Sequence, residues 1–150
     1  GVKEPAVADS TCLIVLERIR RLELLRGLFE PLVIPPSVQE EFGRAVDWLI
    51  VQAPSDLRLI RVLRLVVDDG EAEAIALALE KGWQRIVDDR KARSWAKQLG
   101  IRIIGTAGVL IRAKQAGLIP SVKPLLEAMQ QEGFRMDPVL MAEVLRLAGE

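Results

Sequence analysis

A three-layer α/β/α architecture around a central parallel sheet of about four or five strands is the fold class that this sequence predicts. Short apolar segments alternate with helix-period stretches from one end to the other, the signature of strands joined by crossover helices. The 150 residues are 50% hydrophobic, enough for one sizeable core and too apolar for general disorder. No repeat, low-complexity tract or linker divides them, so residues 1–150 read as a single domain.

Strand-like segments fall at 6–8, 32–34, 85–87 and 101–104, with helix-period stretches near 10–27, 37–51, 70–81, 90–98 and 106–116. Two further helices are expected near 121–132 and 138–148, covering the core or completing a dimer. The segment 57–67 is apolar but interrupted by arginines, and fits a strand, a helix or both. Pro35 and Pro36 close one strand, Gly82 closes a helix, and Gly100 separates a helix from the strand after it.

Composition narrows the chemistry. There is no histidine, which excludes a Ser-His-Asp triad, a Cys-His pair and any His-ligated zinc. The single cysteine, Cys12, lies among Leu13, Ile14 and Leu16 and reads as a small core residue. No apolar run approaches the roughly 18 residues of a membrane span, so the expectation is a soluble, cytoplasmic protein. Carboxylates, hydroxyls, lysine and arginine are left to do the work.

The carboxylates are placed suggestively. Asp9 ends the first strand, and Asp88 with Asp89 ends the strand beginning at Arg85. In a parallel sheet both strands finish on one edge, where ligands bind. Asp9 and Asp89 also precede helical stretches, and either one taken alone reads first as a helix N-cap. Ser37 and Glu40 have capping-box spacing, which assigns Glu40 a structural role. Glu41 instead borders the stripe of Val38, Phe42, Ala45, Val46 and Leu49, facing inward. Glu71 shares the buried face of Ile75, Ala78 and Leu79, although Asp68 lies at capping-box distance from it; Glu73 and Glu80 fall on the solvated face, near Lys81.

Brought together, Asp9, Glu41, Glu71 and Asp88 or Asp89 would repel one another. Two unit charges 4 Å apart cost about 4 kcal/mol at an effective dielectric of 20. Shared protons or a bound cation would relieve that cost, and an all-oxygen set without His or Cys suits Mg²⁺ or Mn²⁺. Such an ion activates water for attack on a phosphodiester without a histidine.

The chain resembles the PIN-domain family. The resemblance is carried by AVADST at 6–11, PPSVQEEF at 35–42, GEAEAIALALEKG at 70–82, IVDDRKAR at 86–93 and GIRIIGTAGVL at 100–110. More narrowly, it is similar to a PIN-like branch with a Gly-Glu-Ala-x-Ala-Ile segment. The resemblance implies a metal-dependent nuclease that cleaves RNA, often a homodimer and often the toxin half of a VapBC-type pair bound by an antitoxin protein. It implies Asp9 and Glu41 as the first two acids, and Thr11 as the small hydroxyl residue that binds a metal-bound water. Glu71 stands where the family usually has Asp, and the last acid falls on Asp88 or Asp89, which register does not separate.

Arg90, Arg93 and Lys97 share a helical face just after the acidic strand end and are the candidate RNA-phosphate ligands. Balanced charge, with Lys+Arg 21 and Asp+Glu 21, makes recognition local rather than global. Three aromatic phenylalanines and three tryptophans are too few for a base-stacking platform, and Trp83 and Trp95 read mainly as packing residues. Arg18, Arg20, Arg21 and Arg26 on the first helix offer a surface to a partner. The main alternative is a PIN-like module that binds RNA or an antitoxin without cutting. A receiver-like phosphotransfer domain lacks its expected late lysine, and a dinucleotide-binding domain lacks G-x-G-x-x-G after the first strand.

Overall fold

The first strand, β1 (Glu4–Ala8), lies at the centre of a five-stranded sheet in the computed structural model, which describes residues 3–150. The chain leaves β1 through α1 (Ser10–Arg18) and α2 (Glu23–Leu28) into β2 (Phe29–Ile34). It continues through α3 (Pro36–Phe42) to β3 (Leu49–Val51), then through α4 (Leu57–Leu63) and α5 (Asp69–Lys81) to β4 (Gln84–Ile86). After α6 (Arg90–Gln98) comes β5 (Ile103–Ile104), followed by α7 (Thr106–Gln115), α8 (Lys123–Gln131) and α9 (Pro138–Leu147).

The strand order is β3-β2-β1-β4-β5, and every pairing is parallel. β2 and β3 therefore lie on one side of β1, and β4 and β5 on the other. The chain reverses its direction of travel between β1 and β4, and such a switch point opens a crevice at the carboxyl ends of the two strands.

Alternation along the strands divides the core in two. Ala6, Ala8, Leu32, Ile34 and Ile86 meet α1, α2, α7, α8 and α9, while Val7 and Val33 meet α4, α5 and α6. Small residues bring α5 close to the sheet: Ala72, Ala74, Ala76 and Ala78 are all buried. Leu125, Leu126 and Met129 of α8 and Val144 of α9 join the first core cluster, so the C-terminal helices do cover the core.

Several expected boundaries move. The helix expected over 10–27 breaks into α1 and α2, with Arg20 at φ 61° in the turn. The helix expected over 37–51 stops at Phe42, where Gly43 takes a left-handed φ of 76° and closes it. The tail of that stretch becomes β3, because the apolar run Leu49-Ile50-Val51 pairs in register with Leu32, Val33 and Ile34. Ala45, Val46 and Leu49 thus lie outside the helix whose stripe they were expected to extend. The ambiguous segment forms α4, capped at its start by the Asp56 carboxylate, which accepts the Leu59 N–H. Only Ile103 and Ile104 of the last expected strand reach the sheet.

Leu16 is fully buried under β1 and β2 within the first core cluster. Leu16→Ala should lower unfolding free energy by roughly 3 kcal/mol through lost transfer energy and an unfilled cavity. Chemical denaturation should show a lower midpoint with an unchanged m-value.

Candidate functional site

Two acids meet at the switch point. Asp9 follows β1 directly, and its N–H donates to the Ile86 carbonyl at 3.2 Å, which ties it to the end of β4. Only 2% of Asp9 is exposed. Its Oδ1 accepts the Cys12 N–H at 3.0 Å, capping α1, and its Oδ2 accepts the Asp88 N–H at 3.4 Å. Asp9 is an N-cap, as expected, and the second oxygen of the same carboxylate reaches the Asp88 backbone.

Asp88 is fixed from the other side. Its Oδ1 accepts the Thr106 N–H at 2.8 Å and its Oδ2 accepts the Thr106 hydroxyl at 2.5 Å. The approach is tight at Gly105, where a Cβ would stand 2.8 Å from Nη1 of Arg93 and 3.1 Å from Oδ1 of Asp88. A side chain at 105 would displace the end of Arg93 and press on the Asp88 carboxylate.

The other candidate acids line an adjacent cleft of about 500 Å³, together with Ser10 and Thr11. Glu41 accepts the Ser10 hydroxyl at 2.5 Å. Asp89 caps α6 by accepting the Ala92 N–H at 2.8 Å, while its side chain also borders the cleft. Glu71 receives half of the expected capping box, since Asp68 accepts its N–H at 2.8 Å. The reciprocal half is missing because the Glu71 carboxylate is paired with Arg85. Asp88 and Asp89, inseparable by register, open to different spaces.

Asp88 instead borders a larger groove of about 1040 Å³, shared with Arg90, Arg93, Lys97, Phe134 and Arg135. The three cations expected to hold phosphate line this groove. Arg93 is partly committed, donating from Nη1 to the Val87 carbonyl at 3.4 Å.

Other expected local pairings do not form. Pro35, not Ser37, is the N-cap of α3, and the Ser37 hydroxyl and N–H both donate to Glu73. Glu73 is consequently turned inward, away from the solvated face assigned to it. Glu80 accepts the Ser55 N–H at 3.0 Å, and Lys81 lies over the Trp83 ring at 5.6 Å rather than beside Glu80. Trp83 and Trp95 pack against the second core cluster.

Burial governs the charges. Burial foremost, then the neighbouring charge of Asp88, pushes the Asp9 carboxyl up to about 7; Arg85 and the Cys12 N–H oppose the rise. Burial likewise raises Asp88, against the Thr106 hydrogen bonds, and raises Glu71, against the charge and hydrogen bond of Arg85. Among the described residues, no group of three or more acidic or thiol side chains is gathered at metal-binding separation. The Asp9–Asp88 pair nonetheless fits a hard divalent ion, which commonly keeps several waters and binds through one or two carboxylates. Its oxygens are the only donors needed, and its uncompensated negative charge is what such an ion relieves.

A family model described as a PIN domain, DUF3368, matches residues 5–150. The chain belongs to the PIN-domain family. PIN domains are typically nucleases that act with divalent metal ions, so a nucleic-acid hydrolase is the broad reading of this one. Among solved structures, this PIN domain is similar to a PilT N-terminus domain protein, SSO1118, from the hyperthermophilic archaeon Sulfolobus solfataricus P2. That similarity has 17% identity and a TM-score of 0.41, over 88% of this chain and 98% of that chain. No curated protein matches. Among the described residues, no helix is long and apolar enough to cross a membrane.

Three residues that contact the candidate acids were not singled out as their partners from the sequence: Ser10, Arg85 and Thr106. Ser10 and Thr106 are each one residue inside a helix start, an ordinary place for a hydroxyl. Arg85 carried the clearer signal, being a charge in a short apolar strand at the centre of the sheet.

The raised Asp9 value has a consequence for stability. Between about pH 4 and pH 7 the folded protein keeps a proton that the unfolded chain releases, so stability falls as pH rises through that window. The loss from Asp9 amounts to roughly 4 kcal/mol above pH 7, and Asp88 and Glu71 act in the same direction. Asp9→Asn should flatten the decline and raise the melting temperature at pH 8 in chelator-treated buffer. Thermal scans from pH 4 to 8 on both proteins check this, and a variant that melts below wild type at pH 8 would contradict it.

Proposed function

We propose that this PIN domain is a divalent-metal-dependent endoribonuclease, with residues 1–150 acting as one catalytic unit. The observation that carries the reading is the buried Asp9 beside the half-buried Asp88 at the switch point of a parallel sheet. A Mg²⁺ or Mn²⁺ ion bound there would polarise a phosphoryl oxygen and supply a nucleophilic water at neutral pH.

The chain's own groups have distinct parts in this reading. Asp9 and Asp88 are the metal-holding acids, kept in place by the Cys12 and Thr106 N–H groups. Glu41, Asp89 and Thr11, on the walls of the adjacent cleft, are the candidates for holding water or completing the metal shell, while Glu71 on the same wall is engaged by Arg85. Arg90, Arg93 and Lys97 flank Asp88 in the larger groove, where their charges would hold an RNA backbone beside the acids. Phe134, in the same groove, offers one ring against which a single-stranded base can stack.

The non-cleaving alternative has one specific observation in its favour, the lack of a preformed three-acid group among the described residues. Toxin activity within a VapBC-type pair, an antitoxin partner and homodimerisation are finer assignments drawn from the resemblance. The exposed Val139, Leu140 and Leu147 of α9 are the surface that a partner or second copy would cover.

Calorimetric titration of Mn²⁺, paired with cleavage of single-stranded RNA, tests the reading. Wild-type protein should bind Mn²⁺ saturably and cut, and Asp88→Asn should lose both while staying folded. Metal binding without turnover on any RNA would favour the binding module. Replacing Arg90 and Lys97 with Ala should weaken RNA binding across sequences. It should also reduce the slope of log affinity against log salt by about 1.4, the share of two phosphate contacts on a single strand. An unchanged slope would remove these two residues from the RNA path.

A further inference from the structure

Arg85 is the largest of the fully buried side chains, on a central strand where a parallel sheet normally carries apolar residues. It stands in register with Val7 of β1, and both project toward the α5 side of the sheet. Its Nη2 pairs with Glu71 at the start of α5. Its Nε and Nη1 have no acceptor at all and no access to solvent.

Two orphaned donors show that the guanidinium is not there for its hydrogen bonds. A buried ion pair is commonly replaced by apolar residues without loss of stability, so an arginine with two unmet donors is poor packing material. Nor can those donors grip a substrate phosphate, because the side chain is 0% exposed. What Arg85 contributes is a fixed positive charge behind the acidic cleft. That charge and those of Asp88 and Glu71 all bear on Asp9.

We propose that Arg85 is a resident cation of the acidic site, holding Glu71 out of the metal shell and leaving room for one divalent ion rather than two. This rests on the metal-dependent reading above. With Glu71 paired to Arg85, Asp9 and Asp88 are the carboxylates left free at the switch point, and one or two carboxylates are what a single hard divalent ion takes. A second divalent ion would need the carboxylate that Arg85 already holds. Arg85 is therefore a positioning residue: it sets the stoichiometry and affinity of the site without touching substrate.

The test is a double-mutant cycle on Mn²⁺ binding, followed by calorimetry, on wild type, Glu71→Gln, Arg85→Met and the double variant. Glutamine keeps an acceptor for Arg85, and methionine keeps the bulk of the stem. In wild type one Mn²⁺ should bind per chain. Glu71→Gln should change its affinity less than about threefold, because Glu71 is already occupied. Arg85→Met should bind Mn²⁺ at least tenfold more tightly or take a second equivalent, and Glu71→Gln should cancel that gain in the double variant. Arg85→Met should also melt lower than wild type in chelator and gain more on Mn²⁺ addition than wild type gains, a difference that a purely structural arginine would not give.

Should Arg85→Met not fold, Arg85→Lys carries the test. Its more compact charge and lost fork should loosen Glu71 and strengthen Mn²⁺ binding in the same direction, to a smaller extent. Equal Mn²⁺ affinity in wild type and the Arg85 variants overturns the proposal and leaves the nuclease reading intact. A tenfold loss from Glu71→Gln alone also overturns it, since Glu71 would then be a ligand beside Arg85. Absence of Mn²⁺ binding in every folded variant overturns the metal-dependent reading itself, and this proposal with it.

Discussion

Asp9 is a carboxylate held almost out of water between the two central strands, and the surrounding structure is arranged around the cost of keeping it there. An isolated ionised carboxylate in an apolar interior is expensive, and the ordinary remedies are protonation, hydrogen bonds or an opposite charge. All three are present. The Cys12 N–H and the Asp88 N–H donate to it, Arg85 lies close enough to oppose its rise, and its carboxyl is still pushed up to about 7. A carboxyl that stays raised despite these partners lacks a full counter-charge, which the proposed divalent ion would supply.

Helix starts serve two purposes here. Asp9, Asp68 and Asp89 each cap the helix that follows by accepting a backbone N–H three residues on. Capping fixes the first turn and, at the same time, points each side chain to the carboxyl edge of the sheet. An acid at such a position need not be assigned to structure or to chemistry exclusively, because the same geometry supports both.

The carboxyl edge is divided into two spaces of different character. On the α5 side the cleft is lined by Glu41, Asp68, Glu71 and Asp89, whose charge Arg64, Lys91 and, from beneath, Arg85 offset only in part. On the α7 side a broader groove carries Arg90, Arg93, Lys97 and Arg135 and runs up to Asp88. A polyanion is attracted by the second and repelled by the first. The division explains how a chain with no net charge can still present a local path for a phosphate backbone.

The layered α/β architecture, the strands at 6–8 and 32–34, the helices near 70–81, 90–98 and 106–116, and the family motifs were legible because each is written locally. Hydrophobic period, proline and glycine stops and cap residues act within a few positions. The same locality misplaced the run 37–51, where Gly43 ends a helix and Leu49–Val51 gains more by joining the sheet than by extending the stripe. Tertiary structure alone decided which acids meet. Asp88 and Asp89 differ by one position, yet Thr106, 18 residues after Asp88, draws it to one space while the cap of α6 turns Asp89 to another. Glu71 had the right face and spacing, but its partner, Arg85, is a neighbour only once β4 lies beside β1 over α5. Local interactions choose a conformation for each segment; burial and charge pairing between distant segments choose the environment of each side chain, and that environment determines its chemistry.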